Sequence, residues 1–119
     1  MQYDSKLPIY IQVINSIKMD IISGRIKCGQ KLPSSRELAV KYTINPNTAA
    51  RVYQELERES ICFTKRGMGT FVTEDEGVIR DIRKQMADEA IVEFLKTIKE
   101  LGITVEEAIS LIKQREDNE

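Results

Sequence analysis

The chain has no histidine and no tryptophan, and only two cysteines and three prolines among its 119 residues. Without histidine there is no imidazole to act as a general base near neutral pH and no histidine ligand for a metal. Two cysteines, Cys28 and Cys62, exclude a disulfide-rich scaffold. One disulfide between them is conceivable, but two half-buried free thiols in a reducing cytoplasm are the expectation. Neither thiol has an imidazole to activate it, and a glycine-rich phosphate loop and a metal-ligand cluster are both missing, so no enzyme is expected and no cofactor is implied. Long apolar runs are lacking too. Nothing approaches the roughly 20 residues that span a bilayer, and the N-terminal MQYDSKLP has no apolar signal region, so a cytoplasmic protein with no membrane partner is expected. What remains is an ordinary globular composition, 41% hydrophobic and 31% charged, enough for one domain or for a small domain with an appendage.

The net charge of −1 hides an uneven division. Residues 1–73 carry 11 Lys and Arg against 6 Asp and Glu, a net +5, whereas residues 74–119 carry 7 against 13, a net −6. Such asymmetry suggests a basic module that faces a polyanion and an acidic module held away from it.

In the basic half, Ile9, Val13, Ile17 and Ile21 recur every four residues between Pro8 and Ser23, with Tyr10, Ile14 and Ile22 widening the stripe. Proline in the first turn and Gly24 just past the end suit a helix. A short basic link, Arg25 to Leu32, leads to Ser34-Ser35-Arg36-Glu37, which has the spacing of a capping box in which Ser34 caps and Glu37 reaches back. A second helix then runs to about Tyr42 and buries Leu38 and Ala39. Thr43-Ile44-Asn45 leaves room only for a tight turn, and Asn45-Pro46 starts a third helix with a capping side chain and a proline at its first position. Along that helix, to about Glu59, Ala49, Val52, Tyr53 and Leu56 share one face, leaving Asn47, Thr48 and Arg51 together on another. Ile61–Thr64 and Thr70–Thr73 read as strands around Lys65-Arg66-Gly67-Met68-Gly69, whose glycines permit a hairpin loop with a cationic tip.

The acidic half opens with Glu74-Asp75-Glu76. From there Val78, Ile79, Ile82, Met86, Ala90, Ile91, Phe94, Leu95, Ile98 and Leu101 form a broad apolar stripe that Gly102 stops. Thr104 with Glu107 is a second capping box, and Val105, Ala108, Ile109, Leu111 and Ile112 predict a final short helix able to fold back on the long one. Two helices cannot bury so wide a stripe between them. The surplus, at Ile82, Met86, Ala90, Ile91, Phe94, Leu95 and Ile98, is therefore expected to meet the same surface on a second copy. The expected fold class is mainly α (α+β): a winged helix-turn-helix over residues 1–73, followed by a two-helix dimerisation element over residues 74–119.

The third helix carries the chemistry. A purely structural helix would tend to expose Glu and Lys in its first turns, whereas Asn47, Thr48 and Arg51 are side chains of the kinds that hydrogen-bond base edges or phosphates, capping being the alternative for Asn47. Arg36 lies beside the amides that open the second helix, where Ser34 or Ser35 with Arg36 would hold a phosphate; the alternative is a solvated arginine paired with a carboxylate. Lys65 and Arg66 at the hairpin tip suit a minor groove, or else a merely soluble loop.

The segments Pro8-Ile9-Tyr10, Leu32-Pro33-Ser34-Ser35-Arg36-Glu37-Leu38-Ala39, Asn45-Pro46-Asn47-Thr48, Tyr53-Gln54-Glu55-Leu56-Glu57 and Arg66-Gly67-Met68-Gly69-Thr70-Phe71-Val72 closely resemble the GntR family of bacterial transcriptional regulators. With only residues 74–119 after the wing, the chain looks like the small YtrA-type members. The resemblance implies a homodimeric repressor of double-stranded DNA, with the recognition helix in the major groove and the wing in the minor groove. It implies base or phosphate contacts from Arg36, recognition-helix contacts from Asn47, Thr48 and Arg51, and wing contacts from Arg66 and Gly67. It also implies dimerisation through the C-terminal helices and no large effector-binding domain, which leaves a small-molecule effector unassigned. Two positions depart from the pattern. Ala50 stands where many longer relatives carry a DNA-contacting arginine, with Arg51 as a partial substitute. Ser60 lies where glycine usually follows the third helix, so either it takes a left-handed conformation at some cost or the turn differs. A winged-helix module that docks a protein with the same face is the rival reading.

Overall fold

In the computed structural model, which describes residues 1–118, helix α1 spans Ile9–Ile22 and buries Val13, Ile14, Ile17 and Ile21. Helix α2 spans Ser35–Tyr42 and is started by the expected box: the Glu37 amide donates to Ser34 Oγ at 3.1 Å, and the Ser34 amide donates to Glu37 Oε1 at 2.9 Å. Those two bonds hold the Glu37 carboxyl below its ordinary value, the backbone donor contributing most. Helix α3 spans Pro46–Arg58, and Asn45 caps it by accepting from the Asn47 amide at 2.8 Å. Its buried face is Ala49, Val52, Tyr53 and Leu56, onto which α1, α2 and the first strand pack.

Strands β1, Cys62–Lys65, and β2, Gly69–Val72, pair antiparallel with Phe63 opposite Phe71. The ladder lies one residue nearer the loop than expected, and where it begins is set at the end of α3. Ser60 adopts a left-handed φ of 62°, its amide donates to Glu57 O at 2.9 Å, and the Ile61 amide donates to Leu56 O at 2.9 Å. This is a Schellman motif, and it commits the Ile61 amide to the helix and the buried Ile61 side chain to Leu56's end of the core. Ser60 thus takes the left-handed option at a position that favours glycine. The basic link has more structure than expected: Gly29 donates to Val72 O, Val72 to Gln30 O and Leu32 to Thr70 O, at 2.8–3.0 Å, so residues 29–32 run along the free edge of β2. Both thiols are free, but they are not alike. Cys28 is exposed, whereas Cys62 is buried and its thiol is pushed up to about 12 by that burial.

Helix α4 spans Glu76–Glu100 and α5 spans Val105–Asp117. The chain divides by contact into two compact units, Met1–Arg83 and Lys84–Glu119, so the division falls inside α4 and the first unit carries its opening turns. In α5 the cap is made but the box is not closed: Thr104 Oγ1 accepts from the Glu107 amide at 3.1 Å and donates to the Glu107 carboxylate at 3.2 Å, which keeps that carboxylate from the Thr104 amide. Only Ala108 of α5 is buried.

Two stability tests follow from the caps. Ser60→Gly should raise the unfolding free energy by about 0.5–1 kcal/mol, since glycine removes the left-handed penalty and returns part of the gain as chain entropy. Urea titration measures it, and a lower midpoint would show that Ser60 is unstrained. Ser34→Ala should cost about 1 kcal/mol at neutral pH. Because the native Glu37 carboxyl is lowered, its contribution is present above the ordinary carboxylate range and is lost as pH falls through the lowered value. Glu37→Gln should therefore flatten part of the acid-side decline in stability.

Candidate DNA interface

Burial of one face of α3 dictates what the other can do. Asn47 and Arg51 are exposed and Thr48 is half-buried, on the opening turns of a helix whose far side is core. Tyr53 fixes the helix against the start of α2: its hydroxyl donates to Pro33 O at 2.5 Å, and burial pushes it up from its ordinary value. Asn45 is exposed, with Oδ1 engaged in the cap. Arg51 has a partner that its spacing did not reveal. Its guanidinium carbon lies 3.8 Å from the centroid of the Tyr10 ring, in the first turn of α1. The carboxylate one turn along, Glu55, is occupied instead by Arg58, at 2.7 Å from Nη2 and 3.2 Å from Nε.

At the start of α2, Ser34 is satisfied internally, because its hydroxyl and amide both serve the capping box. Ser35 is half-buried and Arg36 exposed. At the hairpin, the Met68 amide donates to Lys65 O at 2.9 Å, and Gly67 takes φ 77° in the turn so formed, leaving Arg66 and Gly67 exposed at the tip. Lys65 lies over the stacked rings of Phe63 and Phe71, at 5.6 and 4.9 Å from their centroids. Sequence reasoning had not identified this aromatic seat, nor Tyr10 as a platform. The alternation of Phe63 and Phe71 about the loop was the available signal for the first, since opposed positions of a hairpin share one face.

The electrostatics are one-sided. All six carboxylates of residues 1–73 are engaged: Asp4 accepts from the Lys6 amide, Asp20 pairs with Arg25, Glu37 closes the capping box, Glu55 holds Arg58, Glu57 accepts from the Thr64 hydroxyl, and Glu59 pairs with the buried Lys18 at 3.2 Å. Arg36, Arg51, Lys65 and Arg66 have no ion-pair partner among the described residues. Exposed cations without carboxylate partners, on elements that also carry short polar side chains, can bind phosphates and base edges.

In the second unit the expected apolar surface is largely open. Met86, Phe94 and Ile98 are half-buried, Ala90 is exposed, and Ile91 and Leu95 are 56% and 41% exposed. Val92 and Leu101 of the α4 region and Val105, Ile109, Leu111 and Ile112 of α5 are exposed as well. Ile82 differs. At 6% exposure it belongs to the core of the single chain, which corrects its place among the surplus residues, since it has almost no area left for a partner. Among the described residues no group of carboxylates and thiols could hold a metal ion, and no helix is long and apolar enough to cross a membrane.

The family described as "Bacterial regulatory proteins, gntR family" matches residues 9–72, from α1 through the end of β2. The HTH-type transcriptional regulator YhcF of Bacillus subtilis is 39% identical over 112 residues, 94% of this chain and 93% of that protein. The HTH-type transcriptional repressor YtrA of the same organism is 44% identical over 88 residues, 69% of this chain and 68% of its own. A solved GntR family transcriptional regulator from Listeria monocytogenes superposes with a TM-score of 0.86 at 38% identity, covering 94% of this chain and 98% of that one. With its helix-turn-helix, its wing and these relatives, the chain belongs to the GntR family of DNA-binding transcriptional regulators, which act by binding and not by catalysis.

Proposed function

We propose that the protein is a homodimeric repressor that recognises a palindromic operator, with residues 1–73 binding DNA and residues 74–119 dimerising. The observation that carries the reading is the carboxylate-free face of Asn47, Thr48 and Arg51 on α3, within residues 1–73, whose six carboxylates are all engaged elsewhere. In this reading α3 enters the major groove, Asn47, Thr48 and Arg51 read base edges, and Asn45, Ser35 and Arg36 approach the flanking phosphates. Ser34 acts by ordering the amides around it. Lys65, Arg66 and Gly67 meet the minor groove, where a narrow, A·T-rich tract concentrates negative potential around an inserted arginine. Repression is supported by the likeness to YtrA, which bears the name of a repressor.

Dimerisation is supported by the open apolar side chains of Met86, Ala90, Ile91, Phe94, Leu95 and Ile98. An isologous contact buries one such surface against its copy and sets two recognition helices at a fixed spacing along the duplex. The second half-site contact then becomes effectively intramolecular. The rival reading, a protein-docking winged helix, would show no preference among duplex sequences.

Selection of bound sequences from random duplex DNA should return a two-fold palindrome, with affinity falling steeply as salt rises; no enrichment overturns the reading. On the selected duplex, Arg51→Ala should cost about 1–3 kcal/mol and relax preference at one base pair per half-site. An equal loss on unrelated duplexes would make Arg51 a phosphate contact. Phe94→Asp should convert the dimer to a monomer in analytical ultracentrifugation and abolish the advantage of a full palindrome over a half-site, because it places an unpaired charge in the apolar contact. A variant that stays dimeric removes Phe94 from the interface.

A further inference from the structure

We propose that Tyr10, on a helix outside the helix-turn-helix pair, is a positioning residue for sequence recognition. Its ring holds the Arg51 guanidinium in the orientation that reads a base. The inference rests on the proposed role of α3 in the major groove and adds a residue to it.

The geometry is specific. At 3.8 Å from the ring centroid, the guanidinium carbon sits at contact distance over the ring face, where the π quadrupole attracts a cation. Stacking uses the face of the guanidinium and leaves its five N–H donors free, because they lie in its plane and point outward from its edge. Bidentate reading of a guanine uses that same edge. Arg51 is exposed and has no carboxylate partner, since Arg58 occupies Glu55, so the Tyr10 ring is what orders an otherwise mobile side chain. The ring is itself held, being half-buried on a helix that packs against α3. An arginine ordered before it meets DNA loses less freedom on binding. The Tyr10 hydroxyl has no hydrogen-bond partner among the described residues, so the ring alone carries this role.

The test uses the full-length protein, the duplex selected above and an unrelated duplex. Tyr10→Ala should weaken binding to the selected duplex by about 3- to 10-fold. It should leave the unrelated duplex nearly unchanged and relax preference at the base pair that Arg51→Ala relaxes. Tyr10→Phe should retain wild-type affinity. In an Arg51→Ala background, Tyr10→Ala should add no further loss. Thermal melting checks that each variant folds, and Tyr10→Leu, which keeps apolar bulk without the quadrupole, should behave as Tyr10→Ala even if the alanine variant is unstable.

A full-sized Tyr10→Ala loss in the Arg51→Ala background would overturn the proposal, and so would a loss in Tyr10→Phe equal to that in Tyr10→Ala, which would assign the effect to the hydroxyl. Base preference left unchanged at every position by Arg51→Ala would overturn the proposal and leave the functional reading standing. Absence of any selective binding by the wild type would overturn both.

Discussion

One helix face organises the first unit. Ala49, Val52, Tyr53 and Leu56 of α3 are buried, and α1, α2 and β1 all pack against that helix. Because the apolar residues recur at helical spacing, burying them forces Asn47, Thr48 and Arg51 outward. The wing is tied to the same helix. The Schellman motif at Ser60 turns the chain directly from Leu56 into Ile61, both with no exposed surface, so the strands start at a fixed distance from α3. Hydrophobic packing thereby sets the spacing between the two proposed DNA-contacting elements.

Charge is managed locally within that frame. A chain with a net charge of −1 attracts a polyanion poorly as a whole, and a modest surplus of cations counts only where nearby carboxylates do not cancel it. Here each carboxylate of residues 1–73 has a nearby donor or cation, most of them within a few residues: Ser34 for Glu37, Arg58 for Glu55, Arg25 for Asp20. The longest-range pair, Lys18 with Glu59, is also the most buried and links α1 to the end of α3. The remaining acidic charge is concentrated in residues 74–119.

The second unit is incomplete by the ordinary standard of a folded core. Its one buried apolar residue among those described is Ala108, while Ile91, Val92, Leu101, Val105, Ile109, Leu111 and Ile112 are all exposed by about half or more. A helical pair that leaves this much apolar area open gains stability from a partner surface.

Helix starts and stops were legible in the sequence because they are local. Ser34, Asn45 and Thr104 cap within three residues of themselves, and Gly24 and Gly102 take the left-handed conformations that end α1 and α4. Periodicity likewise marked the buried face of α3, and so its exposed one. Features that depend on distant segments were not legible. These include the run of residues 29–32 along β2 and the placement of Ile82 in the core. Arg51 shows the difference most plainly. Its place on the outer face of α3 follows from the 3.6-residue period alone. Its stack on Tyr10 needed the packing of α1 against α3, since no short-range pattern relates two residues that only the folded core brings together.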